Sequence, residues 1–455
     1  MVTMSNPTYA EVERSLLGRW PETRLEPTLD RIRAICDLMG DPQKAFAVVH
    51  LTGTNGKTST SRMIDTLLRT LDLRVGRFTS PHLEHMTERI SIDGEPLSEQ
   101  LFVEAFADVA PFAQMVDEQS VRAGGPPLSY FEMTVAMAYA AFADTPVDVG
   151  VVEVGMGGAW DATNVADGQV AVVAPIAVDH AKYLGDRPEV IAVEKAGIIK
   201  PGAAVIIAEQ EPAVLDVIMQ RVLEVGATPL REGVDFGVAS RVNAVGGQQI
   251  DLQMTARRYD DIFLPLHGAH QARNAAYALA AVEAFSAGRE LDPELVTAAF
   301  AQATSPGRLE VVRRSPTVLL DAAHNPHGMQ TALEAVQDAF DLSPLIGVVG
   351  MMVDKDVDAI LRLLEPVLAH VVITQNSAPR AMPAAELGEI AADLFGEERV
   401  TVAPRLDDAL ERAIVMTDST EGFTDQVGGG GVLVTGSVVT VGEARTLLGG
   451  VQVDS

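Results

Sequence analysis

The sequence predicts an α/β protein: a P-loop, parallel-sheet domain followed by a smaller Rossmann-like α/β domain. Three observations carry this. Short valine- and isoleucine-rich runs alternate with helical stretches almost throughout, the rhythm of a mainly parallel sheet covered by helices on both faces. The glycine-containing stretch Gly53-Thr54-Asn55-Gly56-Lys57-Thr58-Ser59 follows one such run and opens a helical pattern. The rhythm lapses over 225–266 and restarts beyond Thr304-Ser305-Pro306-Gly307, which reads as a linker.

The first domain is expected over 1–304. It should hold a strand over 45–51, a helix over 58–71, and a hairpin over 90–97 turning at Asp93-Gly94. Ser129-x-x-Glu132 before an Ala/Met-rich run is a capping box opening a helix, which assigns Glu132 to capping rather than to catalysis. Strands are expected over 147–154, 170–176 and, after a Pro-Gly turn, 203–207. Gly246-Gly247 and the alternation at 250–254 suggest antiparallel strands at the domain's edge, followed by a helix over 270–285. The second domain, 305–455, should run as strand 318–320, helix 328–340, strand 345–349, helix near 356–367, and strands 371–374 and 432–435.

Composition narrows the function. A chain of 455 residues exceeds one ordinary core, since domains cluster near ~100–200 residues. Its 47% hydrophobic content excludes wholesale disorder. A formal net charge of −29 repels phosphate backbones and anionic lipid, which argues against a nucleic-acid or membrane-surface role. Anionic substrates must then be gathered locally, by a metal, a glycine loop or a few arginines. The single cysteine, Cys36, forbids an intrachain disulfide and lies in an apolar-periodic stretch, as a buried small residue does. The N-terminus lacks the basic and apolar regions of a signal peptide, and no apolar run approaches ~20 residues. A cytoplasmic protein is expected.

The stretch 53–59 has what phosphate binding requires. Glycines let backbone N–H groups face an anion, a helix N-terminus adds partial positive charge, Lys57 neutralises, and a hydroxyl can reach Mg²⁺. It departs from a strict Walker A pattern, whose first glycine would fall at Leu51. Glu153 closes an expected strand and precedes Gly155-Met156-Gly157-Gly158. A carboxylate there, beside a phosphate loop, suits a nucleotide's Mg²⁺, although alone it could cap the strand. His180, after the next strand, suits either a metal ligand or a structural role. Glu194-Lys195-Ala196-Gly197-Ile198-Ile199-Lys200 offers two lysines that sequence physics does not separate. Arg308 could clamp phosphates or pair at the surface. Asp321 and His324 could contact nucleotide or substrate, or Asp321 could form a turn and Asn325-Pro326 start a helix.

In chain order, GTNGKTS (53–59), TSPHL (79–83), ERISIDG (88–94), EVGMGG (153–158), WDATN (160–164), DH (179–180), EKAGIIK (194–200), HQARNA (270–275), SPGRLE (305–310), DAAHNP (321–326) and TGS (435–437) resemble the folylpolyglutamate synthase/dihydrofolate synthase family of the Mur-ligase superfamily. The resemblance runs from about residue 25 to the C-terminus. It implies a P-loop ATPase domain and a Rossmann-like domain, both needed for ligation. It places Gly53, Thr54, Asn55, Gly56, Lys57, Thr58, Ser59, Asn274, Arg308 and Asp321 around ATP. Ser80, Glu153, Thr58 and His180 are implied ligands of Mg²⁺, with two ions expected. Pro81, His82, Arg89, Asp161, Asn164, His324 and Ser437 are implied on the substrate side, the last two toward the amino acid. Lys57, His180 and Lys195 are the implied catalytic residues, Lys195 as a carbamate. That modification makes physical sense, because an ammonium beside Mg²⁺ repels it and a carbamate offers an anionic oxygen.

The reaction implied is ATP-dependent joining of L-glutamate to 7,8-dihydropteroate, to reduced folates, or to both, through an acyl phosphate. A monomer is expected, with no nucleic-acid or membrane partner. Two departures bear on the alternatives. Thr58 stands where the family loop usually has glycine, as in cell-wall Mur ligases acting on UDP-muramyl peptides, and Ala322 stands where glycine is common. The loop begins at Gly53, leaving no room for those enzymes' upstream UDP-sugar domain, and TSPHL and ERISIDG fit the folate branch. An alternative of another class is a P-loop ATPase switch without ligase activity; two-substrate ligation suits the paired metal-site candidates and second domain better.

Overall fold

In the computed structural model, which describes residues 7–21, 26–179, 181–418 and 429–449, the chain divides into two units. One comprises Met1–Val242, Gln249–Pro265 and Gln271–Thr304, and the other Asn243–Gln248, Leu266–His270 and Ser305–Ser455.

The first unit is built on β1 (Ala47–Thr52), β2 (Val75–Phe78), β3 (Ile90–Ile92), β4 (Glu95–Pro96), β5 (Val149–Glu153), β6 (Val170–Val173), β7 (Ala204–Ile207) and β8 (Thr228–Arg231). These form one sheet in the order β4-β3-β2-β5-β1-β6-β7-β8. From β2 to β8 every neighbouring pair is parallel. Only the hairpin strands β3 and β4 run antiparallel, at one edge. β1, β5 and β6 are almost wholly buried, which explains why they read as continuous apolar runs rather than as alternating ones. The Tyr130–Asp144 helix opens on the expected capping box: Ser129 accepts from the Glu132 N–H at 3.1 Å, and Glu132 accepts from the Ser129 N–H at 2.8 Å. Glu132 also pairs with the buried Arg31 at 3.1 Å, so its carboxylate is fully used in the core. Phe78, Phe102, Tyr139 and Phe142 are buried within one apolar cluster. Ile191, Val205, Ile207 and Ile218 lie within another.

Within 225–266 the strand-and-helix rhythm runs for one more strand: β8 extends the main sheet in parallel, because the Pro212–Val225 helix forms a crossover before it. β9 (Gly237–Ala244), β10 (Gly247–Gln253) and β11 (Arg258–Leu264) then form a sheet of their own, in the order β11-β10-β9.

The second unit is built on β12 (Glu310–Arg314), β13 (Thr317–Leu320), β14 (Leu345–Val349), β15 (His370–Ile373), β16 (Val400–Val402) and β17 (Gly431–Thr435), in the order β12-β13-β17-β14-β15-β16. All pairs are parallel except β12 with β13. Because β13 and β17 are parallel neighbours, the loops that follow them, carrying Asp321–Asn325 and Gly436-Ser437, emerge at the same edge. Asn325 caps the Pro326–Ala339 helix by accepting from the Gly328 N–H at 2.7 Å, with Pro326 in the first turn where its missing N–H costs nothing. Among the described residues no helix is long and apolar enough to cross a membrane.

Candidate functional site

β1 delivers the chain to the loop 53–56, and the Lys57–Arg69 helix leaves it. Gly56 is the helix N-cap at φ 85°, a left-handed conformation that glycine adopts at no steric cost. No side chain caps this helix, so its first N–H groups and the positive end of its dipole are open toward a phosphate. A Cβ on Gly56 would lie 2.7 Å from Asn274 Oδ1, which places the expected nucleotide asparagine against the loop. Asn274 donates to Gln271 Oε1 at 3.1 Å, and Gln271 donates to Ser59 Oγ at 3.3 Å, so the 271–274 turn braces the loop from behind. Thr54 closes it on the other flank, its hydroxyl donating to Ala177 O at 2.9 Å. Asn55 is half-buried in the same loop.

Parallel pairing sets the carboxyl ends of β2, β5 and β1 side by side. That brings Ser80, just past β2, Glu153, at the end of β5, and the loop to one edge of the sheet. The Thr58 hydroxyl lies 3.0 Å from each oxygen of the buried Glu153 carboxylate. Ser80 is half-buried and follows Thr79, whose N–H is held by Arg89 O at 3.0 Å. These are hard oxygen donors. Among the described residues no group of three or more His, Cys, Asp or Glu is arranged to hold a metal. Mg²⁺ bound through one or two protein oxygens, with phosphates and water completing its shell, asks for no such cage. His180 lies outside the described residues.

Two lysines converge on the loop. Lys57 folds back and donates to Gly53 O at 3.0 Å and Thr54 O at 3.3 Å. Lys195 donates to the same Gly53 carbonyl at 2.9 Å. Lys195 is buried, and burial pushes its ammonium down to about 7; the charge of Lys57 acts the same way, against Asp179, Asp161 and Glu194. Lys200 points elsewhere, donating to Asn164 O at 2.9 Å. The structure thus separates the two lysines that the sequence left equivalent.

Asp161 and Asn164, expected on the substrate side, are buried in the segment after β5. Asp161 accepts from the N–H groups of Met156 and Thr163, both at 3.0 Å, and from the Thr163 hydroxyl. Burial nevertheless holds its carboxyl up at about 6. Asn164 donates to Ala159 O at 3.0 Å and Gly197 O at 3.2 Å. The pair therefore ties the glycine loop to the Lys195 segment. A Cβ on Gly158 would lie 2.7 Å from Glu194 O and 2.9 Å from Lys195 Cα, so only glycine admits this approach.

On the segment after β2, Arg89 donates through Nε to His82 Nδ1 at 3.0 Å and lies 4.7 Å over the Tyr130 ring. An Nδ1 that accepts leaves Nε2 carrying the proton. Burial, and then Arg89, push His82 down to about 4, so the ring is neutral at physiological pH. Pro81 beside it is exposed. The sequence reading passed over a buried ion pair next to this segment, Arg77 with Asp65 at 2.5 Å. Two long charged residues in an apolar neighbourhood are its only local signal.

In the second unit, Asp321 accepts from the N–H groups of Leu309 and Ala323, both at 2.9 Å. Its carboxylate thereby fixes the turn that carries Arg308; burial raises the Asp321 carboxyl above its ordinary value, with the Arg308 charge acting against that rise. The stretch 305–310 is anchored rather than a loose connection: Gly307 N–H donates to Glu310 at 2.7 Å, and Glu310 pairs with Arg445 at 3.0 Å. His324 Nδ1 lies 2.9 Å from Ala322 O, and the buried Ser437 caps the Val438–Leu447 helix through the Val439 N–H at 3.2 Å.

Comparison with known proteins agrees with this geometry. The Mur ligase middle domain matches residues 129–282, and the Mur ligase, glutamate ligase domain matches residues 307–438. The chain is 48% identical to the dihydrofolate synthase/folylpolyglutamate synthase of Mycobacterium tuberculosis, over 96% of this chain and 93% of that protein. It superposes on the structure of Mycobacterium tuberculosis folylpolyglutamate synthase complexed with ADP with a TM-score of 0.93 at 48% identity, covering 97% and 98% of the two chains. E. coli FolC in complex with DHPP and ADP gives a TM-score of 0.83 at 29% identity, covering 97% and 98%.

Proposed function

The chain belongs to the dihydrofolate synthase/folylpolyglutamate synthase family of Mur-type ligases, and on that premise we propose how its residues carry out the family reaction. It is an ATP-dependent ligase that adds L-glutamate to dihydropteroate or reduced folates. The observation that carries the residue-level reading is the Thr58–Glu153 contact: hydroxyl and carboxylate oxygens meet at the uncapped start of a helix, where a nucleotide's γ-phosphate belongs.

The loop 53–59 receives the ATP phosphates. Lys57 releases its loop carbonyls to neutralise the charge of the transferring phosphoryl group. Thr58, Ser80 and Glu153, with His180, would hold Mg²⁺ as two ions, which would supply charge neutralisation on the phosphate oxygens. The acceptor carboxylate attacks the γ-phosphorus; an O–P bond forms and the bond to ADP breaks. The glutamate amine then attacks the acyl carbon, loses a proton, and phosphate departs as the C–N bond closes. Arg308, Asp321 and Asn274 contact the nucleotide. His82 and Arg89, with Pro81, face the pterin. His324 and Ser437 serve the amino acid, while Asp161 and Asn164 act by positioning the loop after β5.

Lys195 acts as a carbamate. A buried amine held at about 7 is neutral in large part at physiological pH, and the neutral form attacks CO₂. The nitrogen lone pair bonds to carbon, a carbon–oxygen π pair moves to oxygen, and a proton leaves. The product carries negative charge where Lys57 and Mg²⁺ are positive. The enzyme is read as a cytoplasmic monomer, and its one cysteine, Cys36, is buried and unpaired, so the fold asks for no oxidising compartment.

The test is phosphate release with ATP and L-glutamate, offering dihydropteroate, tetrahydrofolate or a UDP-muramyl peptide. Release coupled to a glutamylated pterin supports the reading. Release with the muramyl peptide alone, or without any amide product, overturns it.

A further inference from the structure

The helix that begins at Lys57 carries another cation toward the Glu153 edge. Arg62 stands four residues after Thr58, on the same helix face. Helical side chains lean back toward the N-terminus of their helix, which here is the phosphate loop. Arg62 is half-buried, and its guanidinium makes no hydrogen bond or ion pair among the described residues.

Among the described residues, the three carboxylates whose charge acts on it, Asp65, Glu88 and Glu153, each have other partners. Asp65 is taken by Arg77 at 2.5 Å and Arg69 at 3.0 Å. Glu88 accepts from the N–H groups of Leu83, Glu84 and His85 at 2.8–2.9 Å. Glu153 faces Thr58. The neighbouring arginines are equally occupied, Arg77 with Asp65 and Ser91, and Arg89 with His82 and Tyr130. Burial lowers the Arg62 guanidinium to about 10, with Arg77 acting the same way against Glu88, Asp65 and Glu153. Withdrawing a cation from water without a partner costs free energy, which a bound anion would return.

The reaction requires such an anion beside the loop. The ATP phosphates meet Lys57 and the helix N-terminus. The acceptor acid must bring its own negative carboxylate up to the negative γ-phosphate, which calls for a cation beside it. A guanidinium fork matches a carboxylate in two parallel hydrogen bonds. We propose that Arg62 is a substrate-binding residue that receives the reacting carboxylate of the pteroate or folate and orients it toward the γ-phosphate. This rests on the reading of 53–59 as the γ-phosphate site.

The test uses the full-length enzyme and the substitutions Arg62→Gln and Arg62→Lys. Equilibrium binding of dihydropteroate is compared with that of its analogue lacking the carboxylate, and KM is measured for acceptor, ATP and glutamate. Wild type should prefer the carboxylated ligand, and Arg62→Gln should erase that preference. Its acceptor KM should rise about tenfold or more, the worth of a charge-assisted hydrogen-bonded pair, with the KM for ATP and glutamate within about twofold of wild type. Arg62→Lys, a point charge without the fork, should recover part of the loss, and decides the matter by the same readouts if the glutamine variant fails to fold. An intact carboxylate preference in the variants, or a rise in the KM for ATP equal to that for acceptor, overturns the proposal. Failure of wild type to glutamylate any pteroate or folate would instead sink the reading it rests on.

Discussion

Lys195 and Gly53, 142 residues apart in sequence, are joined by a 2.9 Å hydrogen bond from a buried amine to a carbonyl of the glycine loop. The contact exists because Gly158 lets the loop after β5 lie directly on the backbone of Glu194 and Lys195. It puts an amine of lowered basicity beside Lys57, at the point where negative charge must be handled.

If Lys195 is carbamylated, the enzyme equilibrated with ¹³C-bicarbonate should show one carbamate carbon resonance, absent from Lys195→Ala. The variant should lose about 10²-fold or more in rate and recover part of it with small carboxylates. The same spectrum from wild type and variant would assign the signal elsewhere and leave Lys195 unmodified.

Lys57→Ala should reduce ligation by about 10²–10³ in kcat, the usual worth of one charge-stabilising donor, with an unchanged thermal unfolding midpoint. Among the described residues its ammonium hydrogen-bonds loop carbonyls alone, those of Gly53 and Thr54. Near-normal turnover would remove Lys57 from the chemistry.

Glu153→Ala should raise the Mg²⁺ concentration needed for half-maximal activity more than His180→Ala does, since a carboxylate is the harder ligand. Identical Mg²⁺ titrations for wild type and both variants would return these residues to structural roles.

Gly158→Ala should displace the Lys195 segment, because the new Cβ meets backbone atoms at 2.7–2.9 Å rather than a yielding side chain. Overpacking of this kind costs about 1–3 kcal/mol. Ligation should fall at least about tenfold, as a misplacement of catalytic groups does. A fully active, equally stable variant would show that this approach is dispensable.

Burial holds Asp161 near 6, above its value in the unfolded chain. Its contribution to stability is complete below about pH 4 and is lost as pH rises through 6. Asp161→Asn does not titrate, so wild type should lose roughly 3 kcal/mol relative to it between about pH 4 and 7. Urea unfolding of both across that range checks this; parallel profiles would place the carboxyl at its ordinary value.

Much of this site could be read from sequence because its signals are local. Glycines before a lysine at a strand-to-helix junction, and a glutamate closing a valine-rich strand, announce themselves within a few residues. The capping role of Glu132 was equally local. What escaped depends on contacts remote in sequence. Nothing local to 194–200 says that Lys195 is buried against Gly53 while Lys200 bonds the Asn164 carbonyl. Asp161 and Asn164 lie in a motif expected at substrate, yet their side chains serve backbone groups. The parallel pairing of β8 follows from a helical crossover, which strand propensity does not encode. The Glu99–Arg122 helix was not read at all, because Pro111 interrupts its pattern.

In the proposed reaction the acceptor carboxylate itself attacks ATP at the 53–59 loop before glutamate is joined. Dihydropteroate carrying ¹⁸O in its carboxylate tests it most directly. Each turnover with ATP and L-glutamate should transfer one ¹⁸O to the released phosphate, which mass spectrometry reads. Unlabelled phosphate, released in step with amide formation, would contradict an acyl phosphate and the placement of these residues around it.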